Sequence, residues 1–273
     1  MQAQDPGARG GATITLLTDF GTSDIYVGVM RGVIAGIAPY ARVVDLTHEV
    51  PPQDVGRAGF LLASAAPFFP SGTIHVAVVD PGVGSTRKVL CAVTGRAVYL
   101  APDNGLLERA LAIDPPRALI SVEEPAWFLP RVSSTFHGRD VFAPVAAHLA
   151  GGLDPARLGP PLSEPQRLAG PAAGAPRAGE LLTRVVHVDR FGNLITELPT
   201  AALPPVRAAR LRGREVPGPV LRTYAERAPG SLVLIGGSSG TLELSLTMGS
   251  AARELGAVPG DEVEVALEGS REA

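Results

Sequence analysis

Three segments of the chain gather side chains able to move protons or hold a charged ligand. The first, Thr18-Asp19-Phe20-Gly21-Thr22-Ser23-Asp24, puts two carboxylates on a glycine-containing loop. Carboxylates there can accept hydrogen bonds from a ribose diol or pair with an ammonium or sulfonium group. Asp24 could equally cap the helix that follows. The second, Val79-Asp80-Pro81-Gly82-Val83-Gly84-Ser85-Thr86-Arg87-Lys88, places a cation seven positions after a carboxylate. An arginine near a carboxylate holds it ionised, although Asp-Pro-Gly is also an ordinary turn. In the third, Ser133-Ser134-Thr135-Phe136-His137-Gly138-Arg139-Asp140, a histidine sits between small hydroxyl residues and a glycine. Histidine is the usual proton carrier near neutral pH. It is also a common local hydrogen bonder, and His48, His75 and His187 are open to that reading too.

The second half of the chain offers Val188-Asp189-Arg190-Phe191-Gly192-Asn193, an acid and an amide around a tight turn, and Ile235-Gly236-Gly237-Ser238-Ser239-Gly240, with backbone donors and hydroxyls. An amide such as Asn193 can read the edge of adenine, and an aromatic such as Tyr224 can stack on its face. The alternative is two β-turns and a tyrosine at the core edge. Other chemistries lack local support. The spacing of a phosphate loop is missing, as are His-x-x-x-His, Asp-x-Asp and Gly-x-Ser-x-Gly, and the lone Cys91 lies in an apolar run. No metal and no cofactor is expected.

These loops need elements to hold them. Residues 13–17 form a β-branched run ending at Thr18-Asp19, and a helical pattern follows through Val27, Met30, Ile34 and Ile37. Residues 42–46 read as a strand, 55–66 as a helix, 73–79 as a strand broken at Asp80-Pro81-Gly82, 89–93 and 97–100 as two more strands, and 140–150 as a helix. Such alternation predicts an α/β fold with a largely parallel sheet and ligands off the carboxyl ends of its strands. From residue 151 to 179 prolines, alanines and glycines accumulate and periodicity fades. Short extended runs at 181–188, 194–197, 231–235, 242–246 and 262–267 then predict a small β-rich domain, barrel or sandwich. The expected organisation is a flexible tail at 1–12, an α/β domain at 13–160, a linker at 161–178 and a β domain at 179–273.

Composition narrows the partners. With 273 residues, 45% apolar, 19% charged and a net charge of −3, the chain can build a packed core and has no basic run for a phosphate backbone. A small molecule is the expected partner, with no nucleic acid and no membrane. One cysteine, no apolar stretch near the roughly 18 residues that span a bilayer, and a start unlike a secretion signal predict a soluble, cytoplasmic protein.

Taken in order, Thr18-Asp19-Phe20-Gly21, Val79-Asp80-Pro81-Gly82-Val83-Gly84, Ala101-Pro102-Asp103-Asn104-Gly105, Thr135-Phe136-His137-Gly138-Arg139, Asp189-Arg190-Phe191-Gly192-Asn193 and Gly237-Ser238-Ser239-Gly240 resemble the S-adenosylmethionine hydroxide adenosyltransferases, relatives of fluorinating and chlorinating enzymes. The resemblance implies an N-terminal α/β sandwich, a C-terminal antiparallel β-barrel, and a homotrimer with its sites at subunit interfaces. It implies S-adenosyl-L-methionine as substrate, hydrolysed to adenosine and L-methionine. Asp80, Arg87 and His137 would then surround the water. Asp19 would hold the ribose, with Thr135 and Phe136 also against the substrate. Asp24, Asp189 and Ser238 would lie near the methionine moiety, and Asn193 and Tyr224 at the adenine. The halogenating relatives carry tyrosine where this chain has Asp80, tyrosine-serine for His137-Gly138, tryptophan for Gln53, and serine-arginine for Ser238-Ser239. Halide-dependent transfer, adenosyl-ligand binding without catalysis, and metal-dependent nucleotide hydrolysis are the rival readings.

Overall fold

The computed structural model describes residues 11–168 and 179–269, so all but the last two positions of the expected tail, and positions 169–178 of the expected linker, lie outside the described residues. The chain divides into two compact units, Met1–Ala169 and Gly170–Ala273. The prolyl stretch that closes the first unit is tied to it. Leu162 N donates to Leu119 O at 2.8 Å, and Gln166 N to Asp103 Oδ1 at 2.7 Å.

The first unit runs β1 (Thr13–Thr18), α1 (Tyr26–Ile37), β2 (Arg42–Thr47), α2 (Val55–Ala65), β3 (Thr73–Val78), β4 (Val89–Val93), β5 (Ala97–Pro102), α3 (Glu108–Ile113), β6 (Ala118–Ser121) and α4 (Ala143–Ala150). Its six strands are ordered β2-β1-β3-β5-β4-β6. The first four pair in parallel and the last two antiparallel. The change of direction comes from the three-residue turn Thr94-Gly95-Arg96, closed by Thr94 N to Ala97 O at 3.0 Å, which leaves no room for a crossover helix. Alternation along β1 sends Ile14 and Leu16 into a core with Met30 and Ile34 of α1 and Ala143 and Ala147 of α4. Leu17 enters a second core with Ala58 and Leu62 of α2 and Ala110 of α3. Parallel strands bring their carboxyl ends to one edge, so the residues after β1 and β3 share it.

The expected helix at 140–150 begins differently. Gly138–Phe142 forms one wide π turn, and regular α geometry starts only at Ala143. Pro144 has no N–H for the carbonyl of Asp140 four residues back; Leu129 N takes it instead, at 2.9 Å. Both α3 and β6 escaped sequence reading, being six and four residues long.

The second unit contains β7 (Glu180–Val188), β8 (Leu194–Pro199), β9 (Val206–Leu211), β10 (Arg214–Pro217), β11 (Val220–Leu221), β12 (Leu232–Gly236), β13 (Thr241–Leu246), α5 (Ala251–Leu255) and β14 (Glu262–Leu267). They form one sheet in the order β10-β9-β14-β7-β8-β13-β12-β11, curled into a half-barrel. All pairs are antiparallel except β11 with β12. Inside lie Leu194, Leu234, Leu242, Leu244, Val263 and Val265. Among the described residues no helix is long and apolar enough to cross a membrane.

One close approach sets the seating of α2 on α3. A Cβ added at Gly59 would stand 2.6 Å from the carbonyl of Leu106. Gly59→Ala is expected to destabilise the protein by about 1–3 kcal/mol through overpacking, read as a lower denaturation midpoint; an unchanged midpoint would show that this seating is adjustable.

Candidate active site

The edge formed by the carboxyl ends of β1 and β3 carries the candidate residues of the first unit. Asp80, just past β3, and Arg87 form a two-pronged ion pair: Arg87 Nε donates to Asp80 Oδ1 at 2.9 Å, and Nη2 to Oδ2. Their side chains are only 6% and 11% exposed, so the pair is shielded from water and geometrically fixed. The same Nη2 lies 2.9 Å from His137 Nδ1. A guanidinium has donors only, so Nδ1 must accept and carries no proton; neutral His137 therefore bears its hydrogen on Nε2. Burial and the Arg87 charge both push the His137 pKa below its usual value, against smaller opposing pulls from Asp80 and Asp140.

The two loops carrying these groups are held together by backbone contact. Gly84 has φ +77°, and a Cβ there would stand 2.2 Å from the carbonyl of Ser134. Asn104, in the turn after β5, donates Nδ2 to Val79 O at 3.0 Å and accepts Leu106 N on Oδ1 at 3.2 Å, clamping the residue before Asp80. Asp140 organises the histidine loop. Fully buried, it accepts Ser133 N on Oδ2 at 2.8 Å and two hydrogen bonds from Arg139, which hold its carboxyl below the ordinary range against the desolvation of its site. Sequence reading missed this role; the signal was an acid directly after an arginine, at the turn into an apolar helix.

Asp19 follows β1 and accepts Gln53 N on Oδ2 at 2.8 Å. Gln53 delivers that N–H from φ +66°, a strained conformation for a side chain of its size. Asp24 is exposed and does not cap α1, whose N-cap is Ile25 with no side-chain cap bond. Phe136 packs edge-on against Phe20 and Tyr26 at centroid distances of 5.9 and 5.1 Å. Thr135 is exposed, its hydroxyl 3.2 Å from Ser133 Oγ. Gly138 is buried beneath that cluster, where a Cβ would lie 3.1 to 3.2 Å from Phe20, Met30 and Phe136. Two histidines prove structural: His48 Nδ1 bonds Thr18 Oγ1 and His75 Nδ1 bonds Thr15 Oγ1, both at 2.8 Å. Burial takes His75 to a pKa of about 4.

The second unit holds the other predicted residues. Asp189 Oδ1 accepts Phe191 N and Asn193 N, both at 2.9 Å, and Oδ2 accepts Asn193 Nδ2 at 2.8 Å. Asp189 and Asn193 are thus one unit of the turn between β7 and β8. Gly192, at φ +86°, sits where a Cβ would strike Ser250 Oγ at 2.0 Å. Tyr224 is 41% exposed, and its hydroxyl donates at 3.4 Å to Glu243 Oε2. Glu243 was also missed, because in the sequence it looks like the polar position of an alternating strand. Ser238 is exposed at the tip of the β12–β13 turn.

Comparison with known proteins places these features in a family. The SAM hydroxide adenosyltransferase N-terminal domain matches residues 14–159, and the C-terminal domain of the same family matches residues 183–264. The chain is 44% identical over 264 residues, covering 92% of it and 98% of the relative, to a Thermus thermophilus protein named (R)-S-adenosyl-L-methionine hydrolase. It is 41% identical to a Salinispora arenicola protein of the same name, covering 92% and 97%. A fluorinase of an Actinoplanes species is more distant, at 27% identity over 70% of this chain and 73% of that one. Among solved structures, an uncharacterised conserved protein from Thermotoga maritima superposes with a TM-score of 0.86 at 34% identity, covering 93% of this chain and 99% of the other.

Two measurements test the geometry. Nitrogen-15 NMR of the His137 ring should show the proton on Nε2 and a titration midpoint below 6.5; a proton on Nδ1 would mean that the Arg87 contact is absent in solution. Gly84→Ala, strained by its φ and blocked by Ser134 O, is expected to separate the two loops and weaken the Arg87–His137 contact, seen as a His137 titration midpoint shifted up toward the ordinary value. An unshifted midpoint would remove Gly84 from the list of residues that hold the trio.

Proposed function

The chain belongs to the SAM hydroxide adenosyltransferase family, and we propose that it hydrolyses S-adenosyl-L-methionine to adenosine and L-methionine by in-line attack of water on C5′. The observation that carries this reading is the part-buried Asp80–Arg87–His137 trio at the carboxyl edge of the sheet. The sulfonium is already a good leaving group, so no general acid is required. The task is to hold one water in line and remove its proton as the C–O bond forms.

The Arg87 contact divides the labour. His137 can take a proton only on Nδ1, where Arg87 sits, so its Nε2–H serves as a donor that orients the water. The Asp80 carboxylate receives the proton. A carboxylate is a weak base, and a weak base suffices because the proton on the nascent 5′-oxygen becomes strongly acidic once the C–O bond has formed. Asp19 holds the ribose hydroxyls, its orientation set by Gln53 N. Thr135 and the Phe20–Tyr26–Phe136 cluster line the adenosyl side, and Asp24, Asp189 and Ser238 serve the methionine moiety. Asn193 and Tyr224 hold adenine. In the same reading the first unit is the family's α/β sandwich and the second its small barrel. The site is completed between subunits of a homotrimer, which exposed Tyr26, Phe191 and Tyr224 support. No cofactor or metal takes part, and the partner is a small molecule rather than nucleic acid or membrane. A single buried, unpaired cysteine, its thiol pushed up to about 12, suits the cytoplasm.

Purified protein mixed with S-adenosyl-L-methionine should yield equal amounts of adenosine and methionine. Both epimers at sulfur should be supplied, since the relatives' names specify the R form. Fluoride or chloride should give no 5′-halo-5′-deoxyadenosine. Absence of both products at high enzyme concentration sinks the proposal. Asp80→Asn should lower kcat by roughly 100-fold or more. The pH profile has a definite sign. His137 must stay neutral to accept from Arg87, and its pKa is lowered, so kcat/KM should hold as pH falls to 6.5 and decline only below that. A decline centred above pH 7 would contradict this assignment.

A further inference from the structure

Among the described residues, Glu243 is the one acid of the curled sheet that is buried. It lies on β13 between Leu242 and Leu244, in register with Ile195 of β8 and Ile235 of β12. Its residue is 6% exposed. Burying a carboxyl is costly unless other groups compensate, and the immediate surroundings of this one are unhelpful: Tyr224 Oη at 3.4 Å and the negative charge of Asp189. Burial and Asp189 both push its carboxyl above the usual carboxylate range. A leucine or valine would serve the strand better.

The surroundings are nevertheless shaped for this side chain. A Cβ added at Gly237 would lie 1.8 Å from Glu243 Oε1, so the carboxyl occupies the space that any other residue at 237 would fill. With Oε1 seated there, Oε2 faces the Tyr224 hydroxyl. Tyr224 itself stands in a one-turn 3-10 segment, Tyr224–Glu226, whose backbone is secured by a capping box between Thr223 and Glu226. The backbone end of the tyrosine is fixed by that box, and the phenol end meets Glu243. Between them the ring is left partly open to solvent.

We propose that Glu243 is a positioning residue: seated against Gly237, its buried carboxyl anchors the Tyr224 hydroxyl and thereby fixes the ring on which an adenine base stacks. The proposal rests on the reading of Tyr224 as the adenine platform. It accounts for a buried acid that the strand does not need, and for a glycine at 237 where the chain makes a turn that other residues could form.

The test is a double-mutant cycle on the full chain, read as KM and kcat for S-adenosyl-L-methionine and, separately, as the calorimetric Kd for adenosine. Glu243→Ala and Tyr224→Phe should each raise KM and the adenosine Kd roughly 5- to 10-fold, the loss of one hydrogen bond, with kcat within about 2-fold. The double variant should be no worse than Tyr224→Phe alone, because that variant already removes the contact with Glu243 along with the phenol's interaction with Ser245. Glu243→Gln, still able to bond the phenol, should stay within about 3-fold of wild type. Additive effects, or a fall in kcat with KM and Kd unchanged, overturn the proposal. If Glu243→Ala does not fold, Tyr224→Phe and Glu243→Gln decide: an unchanged Kd in Tyr224→Phe overturns it. A wild-type protein that binds adenosine but makes none overturns the hydrolase reading alone, whereas one that binds no adenosine overturns this inference.

Discussion

A single guanidinium sets the geometry of the first unit's functional edge. Arg87 spends its Nε–H and one Nη2–H on the two oxygens of Asp80, and its second Nη2–H on His137 Nδ1. Those three bonds fix the rotamer of the acid, the tautomer of the histidine and the spacing of two loops that are far apart in sequence. Their value is orientation more than stability. A shielded ion pair pays heavily in desolvation and often contributes little net folding energy. What makes such a trio affordable is that the fold brings its loops together for other reasons: Gly84 against the Ser134 carbonyl, Asn104 on Val79, and Asp140 stitching residues 129 to 140 into one body.

The second unit uses the same device with backbone donors in place of arginine. Asp189 is saturated by two N–H groups of its own turn and the amide of Asn193, so its negative charge is held in place without a cation. A carboxylate anchored this way keeps its field available to a positively charged ligand. An arginine partner would cancel it. Asp80, by contrast, is paired; in the proposed reaction that fits a division between a group that passes a proton and a group that attracts a cation.

How much of this was legible in the sequence follows from the physics of each feature. The parallel half of the sheet was, because strands of five or six residues alternating with amphipathic helices leave a periodic trace. Of the antiparallel half, β4 and β5 were legible around the turn Thr94-Gly95-Arg96, whereas β6 and α3 are too short for a period to register. Asp80, Arg87 and His137 were legible as candidates, but nothing local joins positions 80 and 137; only the ordered set of motifs did. Asp140 and Glu243 stayed hidden for a different reason. Each is a buried acid whose partners, Ser133 N for one and Tyr224 for the other, are supplied by tertiary folding, and an acid in a strand or at a helix start looks from sequence like a solvated one.

The same electrostatics bear on the choice of nucleophile. Water is neutral and can be held between an acceptor and a donor, in the proposed reaction the Asp80 carboxylate and the His137 Nε2–H. A halide brings a charge. A bare carboxylate would repel an anion at about 4 Å by about 4 kcal/mol at an effective dielectric near 20, and Arg87, paired with Asp80, offsets much of that. To hold a halide the site would also have to offer it donors, and Nε and Nη2 of Arg87 are committed to Asp80 and His137. Gly138 closes the remaining route: a hydroxyl-bearing side chain there would have to displace Phe20, Met30 or Phe136, each already within 3.2 Å of the position its Cβ would take. Committed donors and packing at the same few residues therefore both favour a neutral nucleophile.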